Sequence, residues 1–384
     1  MAKPRIDFIQ QQKDLFVRTE GYSIAVRGIY DTSLQAIIDL VKNTELEDGK
    51  PFTFANYGYD DKVTTILRSM YSQIYKEIRD DAEKEWMLSN DSNDRLMNSL
   101  FGGNAIEDNH FARYFNRNKE AMDAFMSRKI SSDGLGLSQK IWDYVGQHKI
   151  ELEDSIDLAI GEGTPANRLA TKLKEYLLQP DRFYRRFRIK ISEDANGNPV
   201  YGTIWKRKIF DKETGLYKWI NEDPKKYKSG TGVYRSSYRN AQRLARTETN
   251  MAYRSADFER WQQLPFVVGV EIRLSNNHPK LDICDDLKGI YPKEFKWVGW
   301  HPHCRCYMTP VMATQGEMDK MIDDILSGDS GDIQSANSVD DYPAEFKTWI
   351  TNNEDRIAAA TEKGTLPYFI KDNAAGVKKI INPT

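Results

Sequence analysis

A chain of 384 residues with 40% hydrophobic and 29% charged residues has the length for a sizeable core and the composition of a folded protein, not a disordered one. Its formal net charge of −2 excludes a surface that is basic all over, while leaving room for a local basic face. Three cysteines cannot build a disulfide framework, the opening MAKPRIDFIQQQKDLF lacks the apolar run of a secretory signal, and no window approaches about eighteen uninterrupted apolar residues, so a reducing cytosol and no membrane partner are expected.

Residues 1–130 read as an N-terminal helical region. Val63, Ile66, Leu67, Met70, Ile74 and Ile78 recur at three- and four-residue spacing, which is one buried face of an amphipathic helix. Gly102-Gly103 interrupts the pattern before a second helix around Asn118–Arg128. Three short helices follow. Ser138 is placed to cap SQKIWDYVGQH, and Ile150, Ile156 and Ile160 line the next helix up to a stop at Gly161 or Gly163. Thr164-Pro165 opens the third, which Pro180 closes.

The composition changes at Asp181. RFYRRFRIKI and VYGTIWKRKIF are rich in β-branched and aromatic residues around an Ala-Asn-Gly-Asn turn, which predicts a hairpin within 181–232 that LYKWI extends. Residues 182–239 hold fifteen Lys or Arg against six Asp or Glu, a basic stripe suited to phosphate. The candidate contacts are Arg182, Arg185, Arg186, Arg188, Lys206, Arg207 and Lys208; the plainer alternative is a solvated hairpin with its aromatic face packed on the body.

A helix from about Tyr234 to the break at Pro265 places Ala241, Leu244, Ala245, Thr249, Ala252 and Ala256 on a tightly packing face. Arg246 and Glu248, two apart, cannot face one another on it, so each needs a partner elsewhere. Val267 to Leu274 alternates as a strand. Beyond the stretch that follows it, residues 313–342 read as a short helix and a flexible acidic linker. Residues 343–384 read as a C-terminal helical tail whose Trp349, Ile350 and Ile357 dock on the body.

Between strand and linker lies HPKLDICDDLKGIYPKEFKWVGWHPHCRC, His278 to Cys306, with every cysteine of the chain and three of its five histidines. Thiolates and imidazoles are the donors zinc prefers, and the first choice of ligands is Cys284, His301, Cys304 and Cys306, with His278 as substitute. Two alternatives stand beside zinc: a disulfide from Cys284 to Cys304 or Cys306, and a packed knot without metal. Asp282, Asp285, Asp286 and Glu294 could serve as acid or base. No zinc-hydrolase, deaminase, Ser/His/Asp or phosphate-loop pattern accompanies them, so neither an enzyme nor a small-molecule substrate is expected.

Arg243–Tyr253 (RLARTETNMAY), a strand, Asp282–Tyr291 (DICDDLKGIY) and Gly299–Cys306 (GWHPHCRC) occur in that order. Together they resemble the phage minor head proteins, the head morphogenesis family typified by the Mu protein F-like domain. That family carries R-T-E-x-N on a helix, a C-x-x-L-x-G segment and a closing H-P-x-C-R-C. The matching positions are Arg246, Thr247, Glu248 and Asn250, then Cys284, Leu287 and Gly289, then His301, Pro302, Cys304, Arg305 and Cys306. The likeness covers roughly residues 138–312; many relatives have a C-x-x-C pair where this chain has Cys284 alone.

The predicted elements add up to an α+β protein: an N-terminal helical region (1–130), a central domain of helices and a small sheet around the Cys/His knot (131–312), which the resemblance implies is a minor-head domain, then the linker and tail. The resemblance also implies a minor capsid component that binds the portal protein and the inner capsid or scaffold. Such a component works in the host cytoplasm during assembly and afterwards in the virion, in head morphogenesis, DNA packaging or genome delivery. Phage double-stranded DNA or the portal would then meet the basic hairpin. The competing functions are a nucleic-acid-processing or toxin-like enzyme on the same domain, and a host-directed regulatory zinc protein.

Overall fold

The computed structural model describes residues 7–45, 47, 50–101, 109–129, 134–179, 182, 184–194, 197–211, 213–222, 234, 236–275, 281–328 and 334–382. The chain is α+β: the described residues are 62% helical and form two small three-stranded sheets. It divides into two compact units, residues 1–22, 78–137 and 245–384 in one and residues 23–77 and 138–244 in the other. Both are discontinuous in sequence and cut across the linear division drawn above. Among the described residues no helix is long and apolar enough to cross a membrane.

The second unit takes the distal part of α1 (Phe8–Val41) and the first part of α2 (Asp60–Phe101), with α4 (Leu137–Gly161) and α5 (Ala166–Leu178). Between α2 and α4 in the chain lie α3 (Lys119–Ser127) and a 3-10 turn, Asn109–Phe115, both in the first unit. Val63, Leu67, Met70, Ile74 and Ile78 are buried, as their spacing predicts, while Ile66 is half-buried. The three short helices expected over 131–180 are in fact two, because α4 runs unbroken through Gly146. Ser138 lies inside α4 and not at its cap, and its hydroxyl meets that of Tyr71 at 2.7 Å.

The predicted hairpin is the antiparallel sheet β1 (Tyr184–Glu193), β2 (Pro199–Asp211) and β3 (Leu216–Glu222), with Phe187 opposite Ile204 and Lys208 opposite Trp219. Arg207 reaches Asp154 and Asp157 of α4 at 3.7 and 3.5 Å, which ties β2 to that helix.

The first unit is organised around α6 (Ser237–Gln263), from Ala245 onward, and the sheet β5-β4-β6: β4 (Val267–Arg273) between β5 (Gly289–Pro292) and β6 (Tyr307–Met312). A short helix α7 (Ile283–Leu287) precedes β5, and α8 (Gln315–Ser327) follows β6. The tail forms α9 (Ala344–Asn352), α10 (Glu354–Glu362), α11 (Tyr368–Lys371) and α12 (Ala374–Ile381), the expected single last helix being broken at Asn353. Phe346, Ile350 and Phe369 are buried in one aromatic core with Tyr291, Phe295, Trp297 and Trp300. Tyr291 and Phe295 stack at 4.3 Å, and Trp300 meets Phe369 edge-on at 5.1 Å.

The flexible linker needs correcting where it is described. The Glu317 carboxylate accepts from the Ala336 amide (2.8 Å), the Ser335 hydroxyl (2.6 Å) and the Thr314 amide (2.9 Å), and these bonds pull its pKa down to about 2. Val339 donates its amide to the Val268 carbonyl and packs on Gly269, where any side chain would strike it. Ser335 and Ala336 are thus held by α8 and Val339 by β4; residues 329–333 lie outside the described set.

Candidate metal centre

Four elements assemble the knot. Asp282 caps α7, its Oδ1 accepting the Cys284 amide at 2.7 Å while Asp285 returns the bond to the Asp282 amide at 2.9 Å, and this capping box fixes Cys284. Two of the candidate acid–base carboxylates are thereby engaged as caps. The turn after Trp300 supplies His301, and the segment leading into β6 supplies Cys304 and Cys306; all three cysteines are buried and free. The disulfide alternative is not what the chain forms.

Cys284 Sγ, His301 Nε2 and Cys304 Sγ lie within 4.8 Å of one another and could hold a metal ion. Cys284 Sγ stands 3.2 Å from His301 Nε2 and 3.7 Å from Cys304 Sγ. His301 Nδ1 lies 2.9 Å from the Pro302 carbonyl, which can only accept, so in the neutral ring Nδ1 carries the hydrogen and Nε2 turns its lone pair toward the sulfurs. The donors therefore fit a soft cation in both chemistry and tautomer. Hydrogen bonds from Cys284 and then Cys306 hold the Cys304 thiol well below its ordinary range, while Cys284 is pushed up by its bond to Cys304. Cys306 is drawn down by Cys284, but its bond to Cys304 and burial outweigh this and push it up to about 12. Cys306 does not join the three-donor group, and His278 lies outside the described residues.

The Arg-Thr-Glu-x-Asn helix face holds the backbone of this loop. Thr247 Oγ1 accepts the His303 amide at 3.1 Å, and Asn250 Nδ2 donates to the Cys304 carbonyl at 3.3 Å. One turn on, the fully buried Arg254 donates to the carbonyls of Val298 (3.0 Å), Cys304 (3.1 Å) and Cys306, with its guanidinium over the Trp297 ring. Thr247, Asn250 and Arg254 are spaced three and four apart and share one face. Arg254 is not among the residues that the motifs single out, although its spacing from Asn250 is the signal that could have found it. Arg246 and Glu248 find the distant partners their spacing required, Glu20 at 2.7 Å and Arg128 at 2.9 Å. Arg305 lies over Phe16 at 5.0 Å.

Backbone conformation completes the loop. His303 is left-handed at φ 60°, and Gly299 sits at φ 133°, where an added Cβ would meet Arg254 Nη1 at 3.0 Å and Cys304 Cβ at 3.2 Å. Gly299→Ala is accordingly expected to cost about 2 kcal/mol or more, read as a lowered urea midpoint.

The basic sheet sorts its cations into two kinds. Arg182 is paired with Glu175 at 2.7 Å, and Arg207 is engaged by Asp154 and Asp157. Arg185 lies over Phe187 and Trp219, Arg188 over Tyr201, Lys206 over Phe187 and Lys208 over Tyr217, so aromatic rings set these four charges in place. The Arg186 side chain is not among those described.

Comparison with known proteins adds no assignment: no family model, no curated protein and no solved structure matches the chain.

Proposed function

We propose that this chain is a minor head protein of a double-stranded DNA phage, associated with the portal or the inner capsid during assembly and carried into the virion. The observation that supports it best is the direct bonding of Thr247 and Asn250 to the His-Pro-His-Cys-Arg-Cys loop. It gives the separated motifs of the resemblance a common physical purpose, the shaping of one loop. The role is structural and morphogenetic, without catalysis. In this reading zinc binds at Cys284, His301 and Cys304; it would supply a cross-link between α7 and the loop before β6, while the chain's own residues orient the donors. Mass spectrometry of purified particles tests the assignment. Peptides of this chain at low copy number, with co-purification of the portal protein, are expected; absence from particles would defeat it.

Contact with DNA is the second part of the proposal, carried by the four ring-supported cations of β1 and β2. Replacing Arg185, Arg188, Lys206 and Lys208 together by Ala should weaken duplex binding at least about tenfold and flatten its salt dependence by about 0.9 for each phosphate that is no longer neutralised. Arg207→Ala should leave that slope alone, since its charge is already engaged by Asp154 and Asp157. Fluorescence anisotropy across salt concentrations checks both; binding indifferent to salt would remove DNA as a partner.

A further inference from the structure

Structural zinc sites close with four protein ligands in a tetrahedron, whereas sites that take an exogenous group keep three and leave a position free. Which kind the knot builds depends on the side chains that reach a common centre. Among the described residues, Cys284, His301 and Cys304 do. Cys306 turns its thiol to the other two sulfurs but does not come within the same distance of all three donors, and its carbonyl is pinned by Arg254. Asp282 is also outside the group: one carboxylate oxygen holds the Cys284 amide, and the other stands 3.4 Å from His301 Nε2.

The two grouped sulfurs approach from the protein interior, while the His301 side chain is 36% exposed. His301 and Cys304 line a crevice with Thr247, Asn250 and His303. Among the described residues Asn250 Oδ1 is buried without a hydrogen-bond partner. An unsatisfied acceptor beside a metal-capable group suits a small ligand bearing an O–H or N–H.

We infer that the knot is an open, three-ligand site: a thiophilic divalent cation sits on Cys284, Cys304 and His301 and keeps one coordination position for a small exogenous donor entering from the crevice. This rests on the metal reading above and goes beyond it, because a purely structural cross-link has no use for a free position. The reduced full-length chain, titrated with cobalt(II) and followed by visible absorption, tests it. One equivalent should bind with the thiolate charge-transfer intensity of two sulfurs, and azide should shift the ligand-field bands of the loaded protein. Cys284→Ser and Cys304→Ser should weaken binding by about a hundredfold or more, whereas Cys306→Ser and His278→Ala should each change it by less than about threefold. A fourth residue whose loss matters as much as that of Cys304, or bands that azide leaves unmoved, overturns the open site while leaving a closed metal site standing. Failure of the unaltered chain to bind cobalt or zinc at all overturns the metal reading and this inference with it.

Discussion

Arg254→Met should be among the most destabilising single changes in the first unit, lowering its unfolding free energy by about 3–5 kcal/mol. Methionine fills much of the same space, so the loss is one of charge and donors more than of volume. The guanidinium satisfies the carbonyls of Val298, Cys304 and Cys306 at once, inside a site with no exposure of its own. Burial pulls its pKa below the ordinary value, but an arginine stays charged at any pH at which the protein is folded. Removing it takes a donor from three buried acceptors, leaves the Cys304 carbonyl to the Asn250 amide, and bares the Trp297 face it covers. Arg254→Lys should fall between, since one ammonium cannot span three carbonyls. Urea unfolding followed by tryptophan fluorescence gives the comparison, and a loss below about 1 kcal/mol for the Met variant would sink the role given to Arg254.

The second large effect is one of pH, in the second unit. Glu151 is wholly buried; its carboxyl group accepts from the Ser237 amide and hydroxyl and from Gln147 Nε2, with Tyr30 and Asp154 nearby. Burial pushes its pKa from 4.5 up to about 8, while burial lowers that of neighbouring His148 to about 3 and leaves it neutral. The folded state therefore holds a proton that the unfolded chain releases near pH 4.5. The stabilisation is fully present below that pH and is lost as pH rises through about 8, a change of roughly 5 kcal/mol. Glu151→Gln imitates the protonated acid and should flatten the decline, leaving the variant more stable than the parent at pH 8.5 and closer to it at pH 5. A residual decline at lower pH should persist in both, because buried Asp257 of the first unit is raised to about 7 and works in the same direction. Urea midpoints from pH 5 to 9 decide the matter; parallel curves for parent and variant would refute it.

Local periodicity makes most helices legible, including the buried small residues of α6 and the alternation of β4. The Cys/His motif reads as ending at Pro310, yet β6 runs through that residue to Met312. A proline argues against a central strand but is tolerated here, because β6 is an edge of its sheet and Pro310 pairs with Val270 where no amide is demanded. A new helix is expected after SQKIWDYVGQH, yet α4 continues past His148 to Gly161. The three donors are visible as residue types, but their grouping apart from Cys306 depends on the turn at left-handed His303 and on Gly299, neither of which spacing reveals. Arg254 is hidden for a simpler reason: an arginine on a helix reads as solvated until something is known to cover it.

Thr247, Asn250 and Arg254 grip main-chain amide and carbonyl groups of the loop, and the Arg254 guanidinium also faces the Cys304 side chain. The shape of the loop is therefore held largely through its backbone. Chelation should empty such a site without melting it, unlike a zinc finger, whose fold is made by its ion. The scaffold thus resembles a socket cast in backbone, in which ligands can be exchanged by mutation one at a time while the socket keeps its form.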